Sequence, residues 1–183
     1  MLRILDITAP DINNGNGIRV TLWVAGCTNY CKGCHNQWTW DFSKGRVFRE
    51  CKDDIYEELS EWLDREYVEG LTFSGGDPMT QDREALKEEL EIIQWFKEKY
   101  PQKNIWLYTG LTFEQIMQKK SLFDIKSLRI QNAQKDILNE IDVLVDGPYI
   151  EELRDIVHCP FRGSTNQRIL FRPIELFKPT NKN

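Results

Sequence analysis

The sequence predicts an α/β protein: a partial, open parallel βα barrel in a single domain, residues 1–183, with a short polar C-terminal tail. Three observations carry that expectation. Short runs rich in β-branched and aromatic residues alternate with amphipathic helical stretches, and antiparallel neighbours would not need helical connections. The alternation repeats only four or five times, which falls short of the eight units of a closed barrel. The unusual loops all fall at the carboxyl ends of the strands, where ligands collect in parallel sheets.

Each element has its own signal. An early strand near Leu2 to Ile7 leads to Asn13-Asn14-Gly15-Asn16-Gly17, a dense turn sequence. Ile18 to Ala25 (IRVTLWVA) reads as a buried strand that ends at Gly26 and feeds a loop. Ile55, Leu59, Trp62 and Leu63 recur at helical spacing, which predicts an amphipathic helix over residues 52–66. Leu71 to Ser74 is a short strand stopped by Gly75-Gly76-Asp77-Pro78. Leu86, Leu90, Ile93, Phe96 and Tyr100 mark one face of a long helix closed by Pro101. The strand Asn104 to Tyr108 follows, then Thr109-Gly110 and a short helix capped by Thr112, with Phe113, Ile116 and Met117 expected to face inward. Ile141 to Val145 is the last predicted strand, running into Asp146-Gly147-Pro148, and the polar tail covers Lys178 to Asn183.

Composition narrows the class. The chain is 40% hydrophobic and 29% charged, the balance of a soluble globular protein, and its net charge of -5 offers no broad attraction for nucleic acid. No stretch approaches the roughly 18 apolar residues of a membrane span. Five cysteines, three of them clustered, do not form a disulfide framework and fit a reducing, cytoplasmic setting. Cys51 and Cys159 read as small buried hydrophobes or incidental thiols. His158 beside Cys159 could ligate a metal, but a lone pair this far from the trio is more often ordinary structure.

The chemistry concentrates in Cys27-Thr-Asn-Tyr-Cys31-Lys-Gly-Cys34. Soft thiolates at this spacing select iron-sulfur or zinc over hard cations. Structural zinc wants four closed ligands, and His35, which immediately follows Cys34, is an awkward fourth. Three thiolates without a fourth cysteine nearby instead leave one iron of a 4Fe-4S cluster open to a substrate.

The second motif, Gly75-Gly76-Asp77-Pro78, has two readings. It is a plain turn in which Asp77 caps and Pro78 opens a helix, or it is a place where bare backbone and a carboxylate approach a ligand ammonium group. The aromatic run Trp38-Thr39-Trp40-Asp41-Phe42 either covers a cluster or meets a partner, and Arg162 and Arg168 are either solvated or carboxylate-binding.

The cysteine trio after one strand and the glycine-glycine-acidic-proline turn after the next resemble the radical S-adenosylmethionine (SAM) superfamily. Further runs are similar to the activating proteins of anaerobic ribonucleoside-triphosphate reductases: Asn14 to Arg19, Cys34-His35-Asn36, Phe73 to Pro78, Leu107 to Gly110, Val143 to Gly147 and Arg162 to Arg168. These matches run in order from about residue 7 to residue 170. The chain departs from that group in two places: His35 follows the third cysteine where tyrosine is usual, and Asn16 stands where proline is common.

The resemblance implies a partial barrel of the radical SAM type. Cys27, Cys31 and Cys34 would hold three irons as the metal-ligating and catalytic set, and the fourth iron would chelate the amino and carboxylate groups of SAM. Gly75, Gly76 and Asp77 would position the methionyl ammonium end, while Gly33 and His35 approach the nucleoside. One electron would split the sulfonium bond to give methionine and a 5'-deoxyadenosyl radical, which takes a hydrogen atom from a glycine of the reductase. An external one-electron donor such as a flavodoxin is implied. Two alternatives stand beside this reading: an activase of another glycyl-radical enzyme such as pyruvate formate-lyase, disfavoured by the short chain, and a non-catalytic zinc-binding adaptor.

Overall fold

The computed structural model describes residues 1–118, 124–155 and 157–172. The tail from Lys178 lies outside them. Seven strands form one sheet: β1 (Arg3–Asp11), β2 (Ile18–Val24), β3 (Arg46–Val47), β4 (Val68–Gly75), β5 (Asn104–Tyr108), β6 (Val143–Asp146) and β7 (Arg168–Phe171). The helices are α1 (Lys52–Leu63), α2 (Arg83–Lys99), α3 (Phe113–Met117) and α4 (Ile125–Leu138).

The spatial order is β3-β1-β2-β4-β5-β6-β7. The central four strands, β2, β4, β5 and β6, are parallel, as the alternation predicts. The sheet as a whole is mixed, with a hairpin across the predicted Asn-Gly turn at one side. β1 pairs antiparallel with β2 and with β3, and β7 pairs antiparallel with β6. The reason is connectivity, because β1–β2 is joined by the Asn-Gly turn and β6–β7 by a loop, so neither connection carries the helix that a parallel crossover needs.

The parallel strands advance steadily in one direction across the sheet. Right-handed crossovers then bring every connecting helix to the same side. The core reflects this. Val20, Leu22, Val24, Leu71, Phe73, Ile105, Leu107 and Leu144 join Ile55 and Leu59 of α1, Leu86, Ile93 and Phe96 of α2, and Ile137 of α4 in one buried cluster. The alternate strand residues point the other way, because successive side chains in a strand face opposite sides. There Trp106, Val143 and Val145 form a separate small cluster with Phe161 and Ile169.

Polar side chains of this second face are buried toward the amino ends of the parallel strands. Arg19 is fully enclosed and donates to Thr72 Oγ1 (2.6 Å), Asn104 Oδ1 (2.8 Å) and the Leu71 carbonyl (2.8 Å), with its guanidinium over the Trp106 ring. Burial lowers its pKa to about 10. Asp11 accepts from Thr21 Oγ1 and from the backbone of Asn13 in the Asn-Gly turn, which ties that turn to the sheet.

Helix boundaries follow caps. Asp82 accepts from the Ala85 N–H at the start of α2, and Thr112 and Gln115 form a reciprocal capping box at α3. Met117 is exposed, contrary to expectation, because α3 ends there and the last turn leaves the core. The sequence reading did not anticipate α4. Its buried face includes Gln131 and Gln134, whose amides donate to the Ile116 and Met79 carbonyls, so polar residues interrupt the apolar period.

Candidate functional site: a three-cysteine loop on the carboxyl rim

The rim is built from the loops that leave the parallel strands. Aligned pairs Val24 with Gly75, Phe73 with Leu107, and Tyr108 with Val145 bring these exits level. The cysteine loop leaves β2 and is closed at its base by backbone bonds from Gly26 N–H to the Thr39 carbonyl (2.7 Å) and from Cys27 N–H to the Trp40 carbonyl (3.2 Å). Within it, the Cys34 N–H donates to the Cys31 carbonyl (3.1 Å), and Tyr30 takes a left-handed φ of 46°.

Cys27 is buried, whereas Cys31 and Cys34 are partly exposed. Asn29 N–H donates to Cys27 Sγ and Asn36 N–H to Cys34 Sγ, both at 3.4 Å. Burial raises the Cys27 and Cys31 thiols above their ordinary value, and backbone N–H groups, from Asn29 on Cys27 and from Tyr149 on Cys31, oppose that shift. Among the described residues no three His, Cys, Asp or Glu side chains converge closely enough to enclose a single ion. The donor set of one loop, three sulfurs and no fourth protein ligand, fits a cluster.

The second loop locks onto the first. Gly76 N–H donates to the Val24 carbonyl and Asp77 N–H to the Gly26 carbonyl, both at 2.8 Å. A Cβ on Gly76 would sit 2.2 Å from the Gly26 carbonyl oxygen, so only glycine permits this approach. Gly75 lies at φ +110°, a conformation L side chains rarely adopt. The bare backbone of the turn therefore lies against the base of the cysteine loop.

Asp77 behaves differently from the expectation of a ligand-facing carboxylate. It is 1% exposed. Its two oxygens take four donors: Met79 N–H (2.9 Å) and Thr109 Oγ1 (2.8 Å) on Oδ1, and Asn29 Nδ2 (2.7 Å) and Gly110 N–H (2.9 Å) on Oδ2. Burial raises its pKa against these bonds. The capping half of the plain-turn reading holds, since Asp77 caps the turn at Pro78–Thr80, and the same carboxylate joins three rim loops. An ammonium group would find its lone pairs already in use.

The remaining predicted residues gather nearby. Gly33 has φ +70°, with the Glu151 carboxylate over the side where a Cβ would stand, and Lys32 pairs with Glu151 at 2.9 Å. The His35 ring lies 5.7 Å from the Tyr149 ring. The loop after β6 is tied in by Gly147 N–H to the Leu111 carbonyl (3.0 Å). Trp38 packs on Trp23 (5.8 Å) and Tyr30 stands edge-on to Trp40 (5.2 Å), while Trp38 and Phe42 remain partly exposed.

Other candidates are engaged elsewhere. Arg168 binds buried Asp146 and bridges to Glu114, whose pKa it holds down at about 2. Arg162 Nη1 donates to the Gln167 carbonyl. His158 pairs with Asp155 at 3.1 Å on the surface, Cys159 is buried, and the Cys51 thiol donates to the Val47 carbonyl. Two rim residues escaped the sequence reading. Asn29 sits inside the cysteine motif, where an amide flanked by thiols is a legible signal. Gln81 is buried and its amide is shared among the Ala25, Gly26 and Asp77 carbonyls, for which the sequence offers no cue.

Comparison with known proteins agrees with this geometry. Residues 13–170 match the family model of the 4Fe-4S single cluster domain. The chain is 38% identical over 160 residues to the anaerobic ribonucleoside-triphosphate reductase-activating protein of Enterobacteria phage T4, covering 87% of each chain. It is 40% identical to the protein of that name from Vibrio cholerae, covering 87% of this chain and 91% of that one. The Haemophilus influenzae protein of that name is 39% identical, with 92% and 97% covered. No helix among the described residues is long and apolar enough to cross a membrane. With family model and relatives both spanning the cysteine loop and the rim around it, the chain belongs to the 4Fe-4S single cluster domain family and, within it, to the anaerobic ribonucleoside-triphosphate reductase-activating proteins.

Proposed function

We propose that this chain is a cytoplasmic radical SAM activase of an anaerobic ribonucleoside-triphosphate reductase, acting on a glycine of that partner. The observation that carries the reading is the loop of three thiols on the carboxyl rim, held by the Gly76 and Asp77 backbone and lying beside a sheet face on which no α-helix packs among the described residues. The steady order of the parallel strands, with their connecting helices on one side, supports the reading of a partial barrel of the radical SAM type whose other side takes the ligands.

Cys27, Cys31 and Cys34 would hold the 4Fe-4S cluster. A reduced cluster held there would supply the one electron for reductive cleavage of SAM to methionine and 5'-deoxyadenosine, the hydrogen atom coming from the partner glycine. The chain's residues orient and shield. The Gly75 and Gly76 backbone lines the approach for the methionyl end, and the Asp77 carboxylate supports that turn from beneath. Gly33 and the His35 ring, beside Tyr149, border the nucleoside side. The aromatic run from Trp38 to Phe42 closes the base of the loop, where Trp40 packs edge-on with Tyr30. The electron comes from an external one-electron donor such as a flavodoxin.

Anaerobic reconstitution with iron and sulfide, then dithionite and SAM, tests the reading. Release of 5'-deoxyadenosine and methionine, and a glycyl radical signal on the cognate reductase, are expected. A colourless protein that holds one zinc and cleaves no SAM overturns it in favour of the adaptor. Cleavage with a glycyl signal only on another glycyl-radical enzyme reassigns the partner.

A further inference from the structure

We propose that Asp77 and Asn29 are positioning residues that act on the cluster through Cys27: the Asp77 carboxylate holds the Asn29 side chain, which keeps the Asn29 backbone N–H on the Cys27 sulfur and so helps set the cluster's reduction potential. The inference rests on the cluster reading above.

Asn29 lies midway between Cys27 and Cys31 and makes two bonds in opposite directions. Its Nδ2 donates down to Asp77 Oδ2 at 2.7 Å, and its backbone N–H donates to Cys27 Sγ at 3.4 Å. The anchor is rigid, because Asp77 is buried and its other bonds reach Met79, Thr109 and Gly110 on the two neighbouring rim segments. The fit is close on the far side as well: a Cβ on Gly110 would stand 2.3 Å from Asn29 Nδ2, so the absence of a side chain at Gly110 makes room for the amide. The next residue, Tyr30, is exposed and left-handed, so the middle of the loop is held to the sheet through the Asn29 side chain.

Each N–H on a cluster thiolate stabilises the reduced state, which carries the extra negative charge, and hydrogen bonds to the ligating atoms tune metal centres in this way. Weakening the bond therefore moves the midpoint to more negative potential and makes the cluster harder to reduce.

The test is a redox titration of the reconstituted protein, without SAM, followed by the cluster's paramagnetic signal. Asn29→Ala removes the anchor, and Gly110→Ala displaces the amide without substituting any residue of the cysteine loop. Both are expected to lower the reduced-to-oxidised ratio at a fixed applied potential by about threefold to tenfold, tenfold corresponding to about 59 mV for one electron. A wild-type midpoint in either variant with four irons per chain overturns the inference while leaving the cluster reading intact. Loss of the cluster from both variants also overturns it, since the pair would then serve retention alone. A wild-type chain that binds no iron overturns the cluster reading itself, and this inference with it.

Discussion

The two sides of the sheet hold their shape by different means. On the helical side, Phe73, Ile93, Phe96 and their neighbours fill one continuous apolar core, where attraction is non-directional and spread over many contacts. At the carboxyl rim, the cysteine loop is fixed by a few aimed bonds: four donors on Asp77, one amide on three carbonyls at Gln81, and backbone pairs across Gly26 and Gly76. The core tolerates loss of shape at the expense of free energy. The rim tolerates little change of shape, and its failures should appear as chemistry before they appear as unfolding.

The sharpest way to break this contrast is Phe73→Ala. Phe73 is fully buried in the helical-side core, and truncation there costs about 3–5 kcal/mol. Denaturant melts should show that loss, while the folded fraction, reconstituted with iron and sulfide, keeps its full iron content. Gly76→Ala is the opposite case. The added methyl meets the Gly26 backbone, which cannot rotate away, and the expected stability loss is smaller, about 1–3 kcal/mol. Iron retention should nevertheless fall well below wild type. Equal iron retention in the two variants would erase the distinction.

The smallest effect lies where the two regions meet. Glu89 on α2 is fully buried, neither oxygen has a hydrogen-bond partner among the described residues, and burial raises its pKa well above the ordinary 4.5, with Asp77 adding to the shift. The folded protein therefore binds a proton that the unfolded chain has released. Stability contributed by this group is greatest below the unfolded value and declines as pH rises from about 4.5 through the neutral range. Glu89→Gln carries no titrating proton, so melting temperature should depend less on pH between 5 and about 8 than in wild type. Parallel pH profiles for the two proteins would remove Glu89 as the source.

The same contrast explains what was legible in the sequence. Elements of the core announce themselves through periodic apolar residues: β2, β4, β5, α1 and α2 appear where the pattern puts them, with boundaries differing by a few residues. α4 escaped because Gln131 and Gln134 occupy buried positions and satisfy loop carbonyls. β7 is four residues long and half-buried, so it has little periodicity to read. At the rim, residue types were legible but their bonds were not. Cys27, Cys31, Cys34 and the Gly75-Gly76-Asp77-Pro78 turn stand out, yet nothing local says that Asp77 points inward to Asn29 and Thr109, because those partners arrive from distant segments only when the strands align.

The mixed sheet also bears on how this protein behaves at high concentration. A long, bare strand edge templates pairing with other chains and seeds aggregation. Here one edge is β3, two residues long with Arg46 paired to Glu58, and the other is β7, four residues long and anchored by Arg168 to Asp146. The antiparallel additions that make the sheet mixed thus act as stoppers: among the described residues they end it in two short strands, each with its arginine held in an ion pair, and leave each parallel strand between them laddered on both sides.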